Sequence, residues 1–479
     1  MNKSLFIRKL AHELSSGDLA VFIGAGLSMA SGGVSWSVLL RDIAEELGLD
    51  ISKEKDLVSV AQYYVNAKNQ NKGALVQSIY DQLNLRDAEP NENHSVLAKM
   101  PIERFWTTNY DELIEKALSR EKRSFSSIYE NKQFLTPLRR TSARIYKMHG
   151  DIRHPSEVVI TRADFEKYHH THSPFINALS GDLATNTFLF LGLSFTDPNL
   201  FYVLSRLHVE YDESVRPHYA IMKRFSREEF ESDEDFEYSK IRQNLAVNDL
   251  VRYNITVLLV DEHREVTEIL REMDKMYRKN TIFISGSAHE YGYFSQEETS
   301  KLLESVIDEQ FSNGRRIISG YGLGLGDMIV GAAVRKAYSL RNRSLEDHLL
   351  VRPFPQTPQE GENIGELWEA YRQDMISRSG IAIFIFGNKM INSCLERANG
   401  VYREYEIARE LGLNIVPVGS TGYEAARIWE EVNSNFESFY PDPSEALRDA
   451  FTKLNLVESE EEVARAVNRF IGLIMQRRM

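Results

Sequence analysis

The sequence contains a single cysteine, Cys394, among its 479 residues. One cysteine can form neither an internal disulfide nor a Cys₄ zinc site, and such sparing use is typical of a reducing compartment. The most apolar run, residues 187–195, is too short to span a bilayer, which takes about 20 residues. The N-terminal segment also lacks the apolar core of a secretory signal. We therefore expect a soluble cytoplasmic protein that is not bound to a membrane. The sequence shows no cluster of metal ligands, so we also expect no metal site.

The chain also lacks an excess of positive charge. It carries 70 acidic and 57 basic residues, for a net charge of −13. This sign repels phosphate backbones, so we do not expect a nucleic-acid partner, although a local basic pocket for a small nucleotide is compatible with it. The length predicts two to four domains, and the 42% apolar content is sufficient for full-sized cores.

Apolar runs of strand length recur in two series, with helical patterns between them. The first series is AVFIGAG, RFWTTNYD, RIYKMHGD, TFLFLGLSF, HYAIMK and ITVLLVD, and the second is TIFISGSA, RRIISGYGLG, HLLVRPFPQ, GIAIFIFGN and NIVPVGSTG. This alternation predicts α/β architecture with two doubly wound parallel-sheet, Rossmann-like domains. We place the domains at residues 1–278 and 279–479, divided at a charged helical stretch over 261–279. The acidic stretch 227–240 is predicted to be a solvated helix.

Each series carries a glycine-rich turn between a strand and a helix start, at residues 21–33 and 317–327. Such turns commonly cradle a phosphate. The first turn has Gly24 and Gly26, but Met29 stands where a dinucleotide fingerprint has its third glycine. On this signal alone, a turn that only packs a helix on a strand is equally compatible with the sequence.

Polar residues follow three other strands of the first series. Asn109 lies near the end of RFWTTNYD, His149 lies near the end of RIYKMHGD, and Ser194 and Asp197 lie at and just beyond the end of TFLFLGLSF. Ligands of open α/β sheets bind at the carboxyl ends of strands, so these groups should face one crevice. A lone histidine in a loop is usually structural, but its convergence with Asn109 and a glycine turn favours a functional role.

These residues resemble the motifs of the sirtuin family over roughly residues 10–260. The Gly-Ala-Gly-x-Ser loop, the Asn-x-Asp segment, the His-Gly pair and the Gly-x-Ser segment occur in the family's order. The resemblance implies that Asn109 and His149 are catalytic. It implies an NAD site made by the remaining motif residues, Gly24, Ala25, Gly26, Ser28, Thr108, Asp111, Gly192 and Ser194. The zinc-binding Cys-x-x-Cys pairs and the Pro-Asp-Phe-Arg segment of deacylases are missing, so we do not expect a deacylase peptide cleft.

The chemistry of these side chains suits cleavage of the bond between ribose and nicotinamide. This cleavage passes through an oxocarbenium-like ribose, and nicotinamide leaves as a neutral group. Asn109 can hold the ribose hydroxyls or a water, and His149 can accept a proton near neutral pH. Without an acyl-lysine acceptor, water becomes the nucleophile, and the product is ADP-ribose or a cyclised form of it.

The second series resembles SLOG domains, which sense nucleotides and are related to phosphoribohydrolases. It keeps Gly400 and Glu404 of the hydrolase motif but lacks the glycine doublet and the threonine, which predicts binding without hydrolysis. Arg372, Lys389 and Arg403 are candidate cations for binding an anionic ligand. The sequence is equally compatible with three separate charges on the protein surface. Together with the resemblance, the sequence predicts a signal-nucleotide site at Gly286, Ser287, Gly322, Leu323, Gly324, Arg372, Lys389 and Glu404.

A sirtuin-like half followed by a SLOG half resembles the effector family of Thoeris anti-phage defence. That resemblance implies a cyclic ADP-ribose isomer as activator, made by a TIR-domain partner enzyme, and a homo-oligomer of four or more subunits. It implies no cofactor beyond NAD⁺ as substrate. Two other functions stay open on the residues alone: a protein deacylase with a regulatory domain, and a non-catalytic nucleotide sensor that recruits partners.

Overall fold

The computed structural model describes residues 1–32, 36–54, 56–84, 88–135, 143–151, 153–154, 158–211, 216–339, 345–357, 361 and 363–477. The chain forms two compact units, Met1–Asp274 and Lys275–Met479. The sequence-based boundary at 278/279 lies four residues later, at the end of the helix His263–Lys279. We call the two parts the N-terminal unit and the C-terminal unit.

The N-terminal unit is built on a seven-stranded sheet. Its strands are β1 (Leu19–Ile23), β2 (Arg104–Thr107), β3 (Phe125–Ile128), β4 (Ala143–Lys147), β5 (Thr187–Leu191), β6 (His218–Lys223) and β7 (Ile255–Val260). They are arranged in the order β3-β4-β2-β1-β5-β6-β7, and all neighbours are parallel. Every residue of β1 and β5 is buried, so both faces of the sheet are covered at its centre. The direction of winding reverses at β1, where ligands of such sheets bind.

Thirteen helices begin in the described part of this unit. They are α1 (Lys3–Ser16), α2 (Ala25–Ser28), α3 (Trp36–Leu39), α4 (Arg41–Glu46), α5 (Leu57–Ala67), α6 (Lys72–Asn84), α7 (Glu92–Lys99), α8 (Leu113–Arg120), α9 (Arg162–Thr171), α10 (Ser173–Thr185), α11 (Pro198–Tyr211), α12 (Asp233–Leu250) and α13 (His263–Lys279). One apolar cluster surrounds the central strands and includes Phe22, Trp106 and Phe190. A second cluster joins α3–α6 to Tyr110, so these helices pack beside the loop that follows β2.

The C-terminal unit contains a five-stranded parallel sheet in the order β10-β9-β8-β11-β14. Its strands are β8 (Thr281–Ser287), β9 (Arg316–Ser319), β10 (Leu349–Val351), β11 (Ile381–Phe386) and β14 (Asn414–Val418), and β12 (Asn388–Ile391) pairs with β13 (Cys394–Arg397) as an antiparallel hairpin. The helices are α14 (Gln296–Ser312), α15 (Gly326–Ser339), α16 (Leu345–His348), α17 (Ile364–Ile376), α18 (Asn399–Glu410), α19 (Tyr423–Ser434), α20 (Phe436–Phe439), α21 (Glu445–Lys453) and α22 (Glu460–Gln476).

These two parallel sheets confirm the predicted α/β class with two Rossmann-like domains. All eleven predicted strands are present, but β3 and the hairpin β12–β13 were not predicted. The acidic stretch 227–240 is only partly helical, because α12 begins at Asp233 after a 3₁₀ turn at Arg227–Glu229. In the described part of the chain, no helix combines the length and apolar character needed to cross a membrane.

Candidate active site

A cavity of about 1320 Å³ opens at the carboxyl edge of the seven-stranded sheet. Its walls come from the loops after β1, β2, β4 and β5, and from the helices α3 and α5. All ten residues predicted for catalysis and NAD binding line it, namely Gly24, Ala25, Gly26, Ser28, Thr108, Asn109, Asp111, His149, Gly192 and Ser194. The fold therefore brings four separate sequence motifs to one cavity.

The first glycine turn packs tightly against the loop after β5. The amide of Gly24 donates to the Leu191 carbonyl at 2.8 Å, and that of Gly26 donates to the Gly192 carbonyl at 2.9 Å. A Cβ on Gly24 would lie 2.5 Å from the Gly192 oxygen, so glycine is needed for this approach. The same glycines pack two loops together and line the cavity.

Asn109 is held by a chain of hydrogen bonds. Its Nδ2 donates to Oγ of Ser28 at 3.1 Å, and Oγ of Ser28 donates to Oδ2 of Asp111 at 2.9 Å. The backbone amide of Asn109 donates to Oγ1 of Thr107 at 2.9 Å. Asp111 is fixed in turn, because its Oδ1 accepts from the Leu113 amide at 3.1 Å, at the start of α8. The orientation of the Asn109 amide is therefore set before any ligand enters.

His149 lies in the loop after β4 and is only 2% exposed. Its Nε2 lies 3.0 Å from Oδ2 of Asp197. Neither ring nitrogen has a well-aligned hydrogen-bond partner among the described residues, but two buried polar groups at this distance still interact strongly. The ring also meets Phe165 edge to face, with 5.2 Å between the centroids. One edge of the imidazole thus faces a carboxylate, and its body contacts an aromatic side chain.

Asp197 is well placed to act as the partner of His149. Its Oδ1 accepts from the amides of Asn199 and Leu200, each at 2.9 Å, and this caps α11. Burial alone would raise the pKa of this carboxyl, but His149 and the two amides lower it below its ordinary value. The sequence pattern Asp-Pro-Asn, with proline at the first helical position, is a helix-start signal that could have identified this fixed carboxylate.

Sequence reasoning missed two buried groups that lie behind the cavity wall. His94 is 1% exposed, and its Nδ1 lies 3.0 Å from Oδ1 of Asn91. Burial lowers the pKa of His94 to about 4, although Asp111 opposes the shift. Lys147 is fully buried beneath the loop that carries Asn109. The contacts of Lys147 depend on β2 and β4 being neighbours, so local sequence does not signal them.

In the C-terminal unit, the predicted glycines meet across two strand ends. Ala288 donates its amide to the Leu323 carbonyl at 2.8 Å, joining the loop after β8 to the loop after β9. A Cβ on Gly322 would overlap the Gly286 oxygen, and one on Gly324 would overlap the Ala288 oxygen. These loops therefore form one continuous rim at the carboxyl edge of the sheet.

Ser287 and Lys389 lie where this rim meets the β12–β13 hairpin. Oγ of Ser287 donates to the Asn388 carbonyl at 3.0 Å. Oδ1 of Asn388 accepts from the amides of His289 at 2.8 Å and Glu290 at 3.0 Å. Lys389 follows Asn388 in β12, so its backbone lies near the end of β8, where Ser287 is found.

Arg372 and Glu404 form a second cluster in the same unit. Oε2 of Glu404 accepts from Oγ of Ser285 at 2.6 Å, and Nε of Arg372 lies 3.6 Å from its Oε1. Burial raises the pKa of Glu404 above its ordinary value, although Ser285 and Arg372 oppose the shift. The Arg372 guanidinium also lies over the ring of Phe354, 5.1 Å from its centroid.

Arg403 does not belong to this cluster. Its guanidinium is paired with Glu369 at 2.6 Å and with Glu406 at 2.9 Å. The sequence could not separate Arg403 from Arg372, because it does not show which acidic residues neighbour each of them. No group of three or more His, Cys, Asp or Glu side chains suited to a metal ion occurs within the described residues.

Comparison with known proteins gives matches to both units and to the whole chain. Residues 103–244 match the SIR2-like domain, and residues 265–474 match the Sir2- and TIR-associating SLOG family. The chain is 42% identical over 471 residues to the NAD(+) hydrolase ThsA of Bacillus cereus (strain MSX-D12), covering 98% of each chain. It is 40% identical over 481 residues to the NAD(+) hydrolase ThsA of Acinetobacter baumannii (strain 532279), again covering 98% of each.

The chain belongs to the ThsA family. A weaker match is to the defense-associated sirtuin 2 of Bacillus subtilis, at 27% identity over 42% of this chain and 20% of that protein. The SIR2-like match contains Asn109, His149 and Asp197, whereas the first glycine turn precedes it. The SLOG match contains all eight residues predicted for the signal nucleotide. The order of domains predicted from the sequence is therefore the order found in this ThsA family member.

Proposed function

We propose that this chain hydrolyses NAD⁺ to nicotinamide and ADP-ribose in the cavity of its N-terminal unit. The observation that carries the proposal is the meeting of a glycine turn, a fixed asparagine and a buried histidine in one cavity at a topological switch point. The name of its ThsA relatives, NAD(+) hydrolase, supports the same reaction.

The proposed chemistry assigns a separate task to each side chain. The Asn109 amide, oriented by Ser28, holds the ribose hydroxyls or the attacking water. Nicotinamide departs as a neutral group while the ribose gains oxocarbenium character. His149 accepts the proton of the water or of a ribose hydroxyl, and Asp197 stabilises the imidazolium that results.

The NAD⁺ site would include the glycine turn and the loop after β5 that packs against it. In this proposal the backbone of Gly24, Ala25 and Gly26 approaches the pyrophosphate, and Gly192 with Ser194 lies toward the adenosine. The reaction would need no metal. Incubation with EDTA should therefore leave nicotinamide release unchanged, and a loss that zinc restores would contradict this assignment.

We further propose that a cyclic ADP-ribose isomer binds the C-terminal unit and activates hydrolysis. In this proposal the phosphates bind at the rim formed by Gly286, Ser287 and Gly322–Gly324, and the positive charges of Arg372 and Lys389 attract them. A switch from about 1% to 99% active molecules requires about 5.5 kcal/mol of differential binding. Two phosphates held by charge-assisted hydrogen bonds could supply that amount.

In this account, a TIR-domain partner enzyme makes the messenger during phage infection, and the activated protein then depletes cellular NAD⁺. The protein would act in the cytoplasm as a homotetramer or a larger assembly. The SLOG family description itself refers to association with Sir2 and TIR proteins, which is consistent with such a pairing.

The experiment that tests the proposal measures nicotinamide released from NAD⁺ by the purified protein, with and without candidate cyclic ADP-ribose isomers. We expect release that rises when the correct isomer is added. Nicotinamide formation only together with loss of an acyl group from an added peptide would indicate a deacylase. Binding of NAD⁺ without release under all conditions would indicate a non-catalytic sensor.

A further inference from the structure

Lys147 is a fully buried cation at the carboxyl end of β4, two residues before His149. Its ammonium donates to the carbonyl oxygen of Asp111 at 2.7 Å and to that of Tyr110 at 3.3 Å. It also donates to Oδ2 of Asp151 at 2.8 Å. The three acceptors lie on the two loops that carry the proposed catalytic residues.

Such a cation is costly to bury, so its partners must hold it well. Lysine is almost never fully buried unless it is paired, and breaking a buried pair is strongly destabilising. Burial lowers the pKa of Lys147, but the charges of Glu115 and Asp151 more than offset this effect, and the pKa stays raised. The ammonium is therefore the form present at neutral pH.

Asp151 is the anionic end of this arrangement. Burial raises its pKa, but Arg153 and Lys147 bring the pKa down to about 2. Nε of Arg153 donates to Oδ1 of Asp151 at 3.1 Å, and its Nη2 donates to Oδ2 at 3.1 Å. Asp151 therefore stays ionised, and its contact with the Lys147 ammonium anchors the loop that carries His149.

We propose that Lys147 is a positioning residue that fixes Asn109 relative to His149. Tyr110 and Asp111 directly follow Asn109, and Asp151 follows His149 by two residues. One ammonium group therefore ties the loop after β2 to the loop after β4. This inference rests on the proposed function, in which the two side chains act on the same ribose.

The arrangement is better explained by positioning than by stability. Replacing a buried ion pair with apolar residues of similar size is often neutral or stabilising, so a cation is not needed to fill this space. The acceptors of the ammonium are instead divided between the loop of Asn109 and the loop of His149, which is the arrangement that a tie between the two loops requires. Displacement of a reacting group by about 1 Å can cost about 100-fold in rate, so a tie between the loops has a large effect on catalysis.

The test compares Lys147→Met/Asp151→Asn with Arg123→Met. The first variant removes one positive and one negative charge. Glu115, whose charge interacts with Lys147, can then become neutral by taking up a proton. Arg123 is a matched control, because it donates to the carbonyls of Ala98, Met100 and Ile102 before the start of β2, at the opposite edge of the sheet. For NAD⁺ cleavage we expect kcat to fall about 100-fold in the Lys147 variant, with KM changed less than threefold. In the control, only the thermal midpoint should fall.

Hydrogen exchange supplies a readout that does not depend on activity. Amides of 108–112 and 148–151 should exchange faster in the Lys147 variant, and not in the Arg123 variant. Normal exchange in these segments, or a kcat within threefold of wild type in the folded variant, would overturn the inference. An inactive wild-type protein would count against the proposed function instead, and the exchange result would still decide the role of Lys147.

A milder substitution covers the case in which the double variant does not fold. Asp151→Asn keeps an acceptor oxygen for Lys147 and Arg153 but weakens the tie between Lys147 and the His149 loop. We expect kcat to fall about tenfold with KM unchanged, and exchange to rise in 148–151. Wild-type kcat and wild-type exchange in this variant would also overturn the inference.

Discussion

Replacing Asp197 with asparagine tests whether His149 works with a carboxylate partner. The two side chains have the same shape, and the Oδ1 atom that accepts from the Asn199 and Leu200 amides at 2.9 Å is retained. Asparagine is also as good a helix N-cap as aspartate, so α11 should keep its start. The change therefore removes the negative charge 3.0 Å from Nε2 of His149 with little effect on folding.

The expected loss follows from the role of that charge. A positioned general base is worth about 10²–10⁴ in rate, and the same substitution in serine-protease triads costs about 10⁴. We expect kcat for NAD⁺ cleavage by the Asp197→Asn variant to fall by about 10²–10⁴, which is about 3–5 kcal/mol of transition-state stabilisation. KM should change little, because in this account Asp197 acts through His149.

The assay is nicotinamide release under saturating NAD⁺, with the thermal midpoint as a control for folding. A double-mutant cycle with His149→Ala isolates the interaction. If Asp197 acts through His149, its substitution should cost nothing more once His149 is absent. An equal loss in both backgrounds, or a kcat within threefold of wild type, would refute this reasoning.

Two further predictions concern the messenger and acid stability. Arg372→Ala should abolish activation by the cyclic ADP-ribose isomer without changing the fold, and an unchanged activation curve would place the messenger elsewhere. Arg403→Ala should leave the curve unchanged, because Arg403 is paired with Glu369 and Glu406 and lies outside the cluster of Arg372 and Glu404. Burial lowers the pKa of His94 to about 4 and that of His218 to about 3, so the stability that each contributes is complete above about pH 6.5 and is lost as the pH falls. At pH 5 we expect each of these two histidines to lower the free energy of unfolding by about 2 kcal/mol relative to neutral pH. A thermal midpoint that is constant from pH 7 to pH 5 would contradict this.

The predictable part of the fold follows from hydrophobic runs and glycine turns. Central strands such as β5 are buried on both faces and therefore read as continuous apolar segments. The edge strand β3 has the sequence FSSI and is mostly half-buried, so it gives no such signal. The β12–β13 hairpin lies outside the main sheet and is not covered on both faces. Its sequence therefore lacks the continuous apolar run by which the other strands were predicted.

The residues of the candidate site that lie at the ends of strands could be predicted from the sequence. The contacts between distant segments of the chain could not. Asn109 and His149 could be located because parallel strands deliver their carboxyl ends to one edge. The contact between His149 and Asp197 joins different loops, and the ties of Lys147 depend on β2 and β4 being neighbours. Strand order is a property of the folded sheet, so local sequence does not reveal these partners.

In the C-terminal unit, the orientation of helical side chains decides which residues come together. Arg403 and Glu404 are adjacent in sequence, but successive residues of a helix point about 100° apart. Glu404 therefore faces Ser285 and Arg372, while Arg403 faces Glu369. A motif read from the sequence alone does not contain this distinction.

The most direct measurement of the central claim compares nicotinamide release by wild type, Asn109→Ala and His149→Ala, with and without the activating cyclic ADP-ribose isomer. The account predicts messenger-dependent release by the wild type and almost none by either variant. It also predicts that both variants bind the messenger as tightly as the wild type does. Near-normal release by the His149→Ala variant would contradict the assignment of the cavity as the site of NAD⁺ cleavage.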